Sequence, residues 1–245
     1  MAVSLSLVAA HIAAVSVTSF ILRGFLSFAS ITDALGFYGV YHRDPINQII
    51  HFFGVPCIIW SLIVFLCHLN LPFLHVKIHI PFIAPHDVSY ATLVTAMYIG
   101  FYLYLDHFGG VLYSPFAYGM YALAVNMMSQ DQNVAKVESQ KKEKKCKSWT
   151  GTGRLLRLAA IVHFTGWYVQ IHPGHGIFEG AKPAVLQSIG GALTSAPLFA
   201  YYEGLWFIGL NKGLQEETKL LVDQYTVELC KKGINMRACA DYDLN

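Results

Sequence analysis

Six apolar stretches, residues 3–22, 49–69, 88–105, 111–128, 155–171 and 185–210, leave this chain few ways to fold. A helix that crosses the hydrocarbon layer needs about 20 mostly apolar residues, and each stretch meets or approaches that length. Charged residues make up only 13% of the 245, against about 25% in an ordinary soluble domain. Together these point to an all-α protein, a polytopic membrane helical bundle with about five to six spanning helices. Residues 1–23 read as an extra retained span, because no positive charge precedes the apolar run and no small-residue cleavage site follows it. Residues 24–210 form the membrane domain, and 24–41 within it suit a helix lying in the interface. Residues 211–245 form a soluble, charged tail with one amphipathic helix ending near Gly233.

Residues 129–150 hold six lysines and are the strongly basic loop of the chain, which the positive-inside rule assigns to the cytosol. The net charge is only +2, so no global field attracts a polyanion, and nucleic acid is not an expected partner. Residues 70–87, with Pro72, Pro81 and Pro85, read as a loop whose His75, His79 and His86 are solvated. Five cysteines show neither a CxxC pair nor dense spacing and read as packing thiols. Residues 185–210, broken by Gly190, Gly191 and Pro197, form one kinked span or two half-helices.

Two polar clusters stand out against this background. The first contains His42, Asp44, Pro45, Asn47 and His51; the second contains Gln170, His172, His175 and Glu179. Asp44 and Pro45 read as the N-cap and first position of a helix. Asn47 and His51, four residues apart, then project about 40° apart on one face. Pro173 and Gly174 read as a break, after which His175 and Glu179 repeat the four-residue spacing on a new turn. Counting crossings from the first cluster returns the chain to the same membrane face at the second, opposite the lysine loop. Buried imidazoles beside apolar runs are costly without a partner, and three of them with nearby carboxylates suit iron or zinc. His42, His51 and His175 are the candidate ligands, and Asn47 and Gln170 are candidate orienting residues. Glu179 reads either as a ligand or as a helix-stabilising acid. His172 is a weaker candidate fourth ligand, while His11, His68, His107 and His163 read as packed or interfacial. Glu203, isolated in an apolar run, is a functional candidate that can bind metal, pair with Arg43 or Lys182, or stay protonated.

No GxSxG, P-loop, GxGxxG or HExxH motif is present, which removes several hydrolase and nucleotide-binding readings. The many-histidine pattern of membrane di-iron hydroxylases, built on HxxxH and HxxHH boxes, is missing too. Leu35, Gly36, Phe37, Tyr38, Tyr41, His42, Pro45, Asn47, His51 and Pro56 resemble the first motif of the 2-hydroxy-palmitic acid dioxygenase family. Gly166, Trp167, Gln170, Gly174, His175, Gly176, Phe178, Glu179, Pro183 and Ala184 resemble its second, and Ala196, Pro197, Phe199 and Glu203 a third. The resemblance implies a multi-pass protein of the endoplasmic reticulum membrane that uses Fe(II) and dioxygen on a long-chain 2-hydroxy fatty acid. The acid is shortened by one carbon, a step of α-oxidation serving phytosphingosine breakdown. By matched position it implies iron at His42, His51 and His175, supported by Asn47, Gln170 and Glu179. One departure is that five residues separate Gln170 from His175 where the family has four. The alternatives are a non-redox metal enzyme acting on membrane lipid and a non-enzymatic membrane scaffold.

Overall fold

In chain order the helices are α1 (Leu5–Phe25), α2 (Ile31–Gly39), α3 (Pro45–Cys67), α4 (Tyr90–Leu105), α5 (His107–Lys141), α6 (Arg154–Val169), α7 (Ile189–Phe207) and α8 (Lys212–Lys231). A π-helical stretch, Gln170–Glu179, continues α6, and a 3-10 turn, Arg237–Asp241, follows α8. These come from a computed structural model that describes residues 5–72, 74, 76–141, 150–181, 189–234 and 237–241. The protein is all-α apart from an antiparallel pair, β1 (Lys77–Ile78) and β2 (His86–Asp87), with Lys77 opposite Asp87 and Ile78 opposite His86.

Two of the described helices, Leu5–Phe25 and Pro45–Cys67, are long and apolar enough to cross a membrane, and Tyr90–Leu105 is a shorter apolar helix. The expected five to six spans thus reduce to two candidates by length and composition. α4 has 16 residues and is about 24 Å long, short of a 30 Å hydrocarbon layer.

α3 is the central helix. Asp44 caps it by accepting the amide hydrogens of Ile46 (2.8 Å) and Asn47 (3.1 Å), and Pro45 occupies the first turn, where its missing N–H costs nothing. It packs against α4, α5, α6, α7 and the π-helical stretch. α1 lies along α7 at a crossing that only glycine allows, since a Cβ on Gly24 would fall 2.1 Å from the Gly190 carbonyl oxygen. α2 begins at Ser30, whose hydroxyl accepts the Asp33 amide hydrogen, and it is held beneath α7 and α8 with Ala34, Leu35, Gly36 and Tyr38 buried. The expected interfacial helix is therefore covered by other helices.

Local readings of four other segments change in the folded chain. α5 continues through 129–141 of the basic stretch, so that stretch begins as helix; residues 142–149, with Lys142, Lys144, Lys145, Lys147 and Cys146, lie outside the described part. His86, expected to be solvated, is buried, with Nδ1 bonded to the Ala84 carbonyl and Nε2 paired with the Tyr121 hydroxyl. His79 is exposed as expected, and His75 lies outside the described residues. Cys230 and Cys239 form a disulfide, contrary to their reading as packing thiols; α8 and the 3-10 turn fold back on each other and bring their Cα atoms to 5.6 Å. Cys57 and Cys67 are free. α7 is one helix with Pro197 inside it, and α8 ends at Gly233, whose φ of 77° takes the left-handed turn that glycine permits.

Candidate metal centre

His42 lies just beyond α2, His51 lies about 1.7 turns into α3, and His175 lies midway along the π-helical stretch. Their ring centroids are 4.3 Å (His42 and His51), 4.8 Å (His42 and His175) and 5.0 Å (His51 and His175) apart. One nitrogen from each lies within 4.8 Å of the others, and all three side chains are buried. The two polar clusters, remote in sequence, thus meet in the fold.

Each ring is aimed by its local backbone. His42 Nδ1 is 2.8 Å from the Tyr38 carbonyl, and its ring stacks on the Tyr38 ring at 3.8 Å with an 8° interplanar angle. His51 Nδ1 is 2.9 Å from the Asn47 carbonyl. A carbonyl only accepts, so both Nδ1 atoms carry the proton and both Nε2 atoms keep a lone pair. His42 Nε2 and His175 Nδ1 are buried with no protein hydrogen-bond partner. Gln48 Nε2 donates to the His42 carbonyl at 2.9 Å and ties that turn to α3.

The second cluster is wound differently from the expected break and new turn. Helix continues from α6 through Pro173 and Gly174 in a wider π form, which bonds i to i+5 and so holds one more residue per hydrogen-bonded ring. Gly174 is the contact point with α3: a Cβ there would lie 2.6 Å from Asn47 Oδ1. Gly180, at φ 63°, ends the stretch, and its N–H donates to the His175 carbonyl at 3.0 Å.

Glu179 clamps the two clusters together. Its Oε1 accepts the Arg43 amide hydrogen (2.9 Å), and its Oε2 accepts those of Asp44 (3.0 Å) and Asn47 Nδ2 (2.9 Å). The carboxylate thus sits at the N-terminus of α3, where backbone N–H groups and the helix dipole favour a negative charge. Burial raises its pKa, and the three donors pull it back down. Burial pushes the pKa of His42 well below its ordinary value, reinforced by neighbouring His51 and His175. His175 falls to about 3, through burial first and His51 second. These rings are therefore neutral near pH 7, the form that binds a cation.

The other candidates take distinct places. Asn47 is fully buried and reaches Glu179 with its side chain; its backbone carbonyl, not its amide, orients His51. Gln170 is buried against α3 beside Gly54 and donates to the Gly166 carbonyl of its own helix. Its side chain lines a cavity of about 50 Å³ that the three histidines share. Glu203 lies outside the histidine trio, on α7, lining a separate cavity with His42 and Arg43; both of its oxygens are buried without a hydrogen bond among the described residues. Arg43 pairs instead with Asp223 (2.9 Å), and Lys182, Pro183 and Ala184 lie outside the described residues. His172 is exposed and stacked on Tyr168, away from the trio. His11, His68 and His163 bond to nearby carbonyl or hydroxyl groups of the bundle.

Tyr38 and Phe199 were not singled out as site residues from sequence, yet Tyr38 stacks on His42 and Phe199 packs against both. The spacing of four from Tyr38 to His42 was the available signal. Nothing local marks Arg237, which donates to the carbonyls of Phe178 (2.6 Å) and Ile177 (3.1 Å) beside the site.

The donor set fits a metal ion. At about 2.1 Å per metal–nitrogen bond, two ligands of one ion lie no more than about 4.2 Å apart, so the rings need close by only roughly half an ångström or more to share it. Neutral imidazoles with buried, unpartnered nitrogens are otherwise expensive to leave in an apolar interior.

A helical protein with a buried group of three histidines that could hold a metal ion is the class these features define. The family model described as 2-hydroxy-palmitic acid dioxygenase Mpo1-like matches residues 28–205, and the chain belongs to that family. It is 29% identical over 185 residues to the 2-hydroxy-palmitic acid dioxygenase MPO1 of Saccharomyces cerevisiae, covering 76% of this chain and 85% of that protein. No solved structure matches it.

Proposed function

We propose that the protein is an Fe(II)-dependent dioxygenase that converts a long-chain 2-hydroxy fatty acid to the acid one carbon shorter. The observation that carries this reading is the trio of buried imidazoles with nitrogens within 4.8 Å of one another. Family membership and the relative's name support the substrate class. The balanced reaction needs no external reductant: a 2-hydroxy acid and dioxygen give the acid shortened by one carbon, carbon dioxide and water. The C1–C2 bond breaks, and C2 becomes the new carboxyl carbon.

His42, His51 and His175 would hold the iron, His42 and His51 through Nε2. Iron bound there would supply the redox chemistry by which dioxygen attacks the substrate's head group. Tyr38 and the Asn47 carbonyl fix the imidazoles, and Glu179 with Asn47 holds the two ligand-bearing segments in register. Apolar side chains around the trio, Val55, Ile58, Ile59 and Leu193 among them, exclude water. Glu203, which lines a cavity with His42 and has no hydrogen-bond partner among the described residues, is a second acidic group available to hold a proton at the site's edge.

We place the protein in the endoplasmic reticulum membrane as a multi-pass helical bundle. α6 begins at the end of α5 that leads into the lysine stretch, where Arg154 meets Glu138, and about 24 Å later it reaches the histidine trio. The Cys230–Cys239 disulfide lies near the trio's end, through Arg237. Lysines on one side and a disulfide on the other suit a lumenal metal centre. Purified protein loaded anaerobically with Fe(II), then given 2-hydroxyhexadecanoate and oxygen, should yield pentadecanoate with matching oxygen uptake. Metal-replete protein that binds zinc and consumes no oxygen would overturn the reading in favour of non-redox chemistry.

A further inference from the structure

A second cavity of about 580 Å³ opens between α3, α5 and α7, and no charged side chain is among its lining residues. It shares three of those residues, Val55, Ile59 and Pro197, with the cavity of the histidine trio. The two spaces are therefore neighbours across a thin apolar wall. Ile59 lies eight residues beyond His51 on α3, about 12 Å along the helix. The groove thus runs beside α3 from the level of His51 to about 12 Å along the helix. Phe52, Phe53 and Phe116 at its mouth are 40–67% exposed, an apolar rim open to the surface of the bundle.

We propose that this groove binds the acyl tail of the 2-hydroxy acid, with the carboxylate and hydroxyl at the histidine trio and the chain passing beside Val55, Ile59 and Pro197. The proposal rests on the dioxygenase reading for the identity of the head group. The size fits: at roughly 30 Å³ for each small unit of condensed matter, 580 Å³ takes about 19 methylenes. An unbranched chain suits a groove whose polar atoms are confined to the Tyr113 and Tyr201 hydroxyls and the Cys57 thiol. A membrane-resident acid can enter sideways between Phe53 and Phe116 without carrying its tail through water. The groove is then the chain-length determinant, and Met120 of α5 and Ala200 of α7 set its depth.

Cys57 provides a reporter, because it is a free, exposed thiol within the groove, whereas Cys67 is buried and Cys230 and Cys239 are bonded to each other. The full chain, in detergent and loaded with Fe(II), is alkylated with N-ethylmaleimide under nitrogen, and Cys57 is followed by peptide mass spectrometry. The expected result is that 2-hydroxyhexadecanoate slows alkylation of Cys57 at least fivefold, while 2-hydroxyoctanoate and phosphatidylcholine vesicles at matched concentration do not. In parallel, Met120→Trp and, separately, Cys57→Trp should raise KM for 2-hydroxyhexadecanoate about tenfold more than KM for 2-hydroxyoctanoate, with iron content kept at the wild-type level. Normal turnover of the long acid without protection of Cys57 overturns the groove and leaves the dioxygenase reading intact. Equal protection by phosphatidylcholine also overturns it, making the groove a general lipid contact. Selective protection by the long acid with no turnover upholds the groove and removes the dioxygenase reading.

Discussion

Replacing Glu179 with glutamine tests whether that residue is a clamp or a ligand. Its carboxylate takes three short hydrogen bonds, from the Arg43 and Asp44 amides and from Asn47 Nδ2, at 2.9–3.0 Å, and the residue is 6% exposed. In Glu179→Gln the one remaining oxygen cannot serve both sites, and in either orientation the new NH₂ group faces at least one backbone N–H. Asn47 can turn its amide, since Oδ1 is unpartnered, while one backbone N–H stays without an acceptor. Losing a charge-assisted bond costs about 1.5–3 kcal/mol and orphaning a buried donor about 1–3 kcal/mol, so a total near 3 kcal/mol is expected. For a chain of this size that lowers Tm by about 6–12 °C. The clamp holds His42 against His175, so Fe(II) affinity should fall about 10–100-fold, the usual cost of losing a group behind the ligands. Thermal denaturation and anaerobic Fe(II) titration of the purified variant measure both effects. Unchanged Tm with complete loss of iron would make Glu179 a ligand, and no change in either quantity would refute the clamp.

Three further outcomes follow from other parts of the structure. His42 and His175 have folded pKa values below the unfolded value of about 6.5, the latter about 3, so below pH 6.5 the unfolded chain takes up more protons; metal-free protein should lose stability as pH falls from about 6.5 toward 3, by up to about 1.4 kcal/mol per pH unit for each histidine, and a denaturant midpoint flat over that range would contradict it. Gly24→Ala puts a methyl group 2.1 Å from the Gly190 carbonyl oxygen and should destabilise the α1–α7 packing by about 3 kcal/mol, read by thermal denaturation. Cys239→Ser frees the segment that carries Arg237, so hydrogen exchange should quicken at residues 175–180; exchange identical to wild type would separate the disulfide from the site.

Most of the site was legible in the sequence because its determinants are local. Asp44 before Pro45 is a cap signal whose partners are two and three residues away, and the folded chain realises it. His51 follows Asn47 by one turn, so the carbonyl that orients it was near in sequence, although the reading assigned that task to the amide side chain. The meeting of His42 and His51 with His175 needed only the order of the apolar runs and their alternation. What escaped depends on pairings that no window of sequence contains. Pro173 and Gly174 look like a break, yet packing of Gly174 on Asn47 favours continued winding with a wider turn. His86 looks solvated among prolines until Tyr121, 35 residues later, covers it. Cys230 and Cys239 lack a recognisable motif, and only the turn-back after α8 brings them together. The count of spans is a different matter: it rests on run length, and among the described residues two helices reach that length while α4 is shorter.

The central claim is that His42, His51 and His175 together hold one ion. Iron bound per chain, measured by elemental analysis after anaerobic loading and desalting, should be one equivalent for the wild type and close to zero for His42→Ala, His51→Ala and His175→Ala, each still helical by circular dichroism. A folded His175→Ala protein that keeps a full equivalent of iron would contradict it.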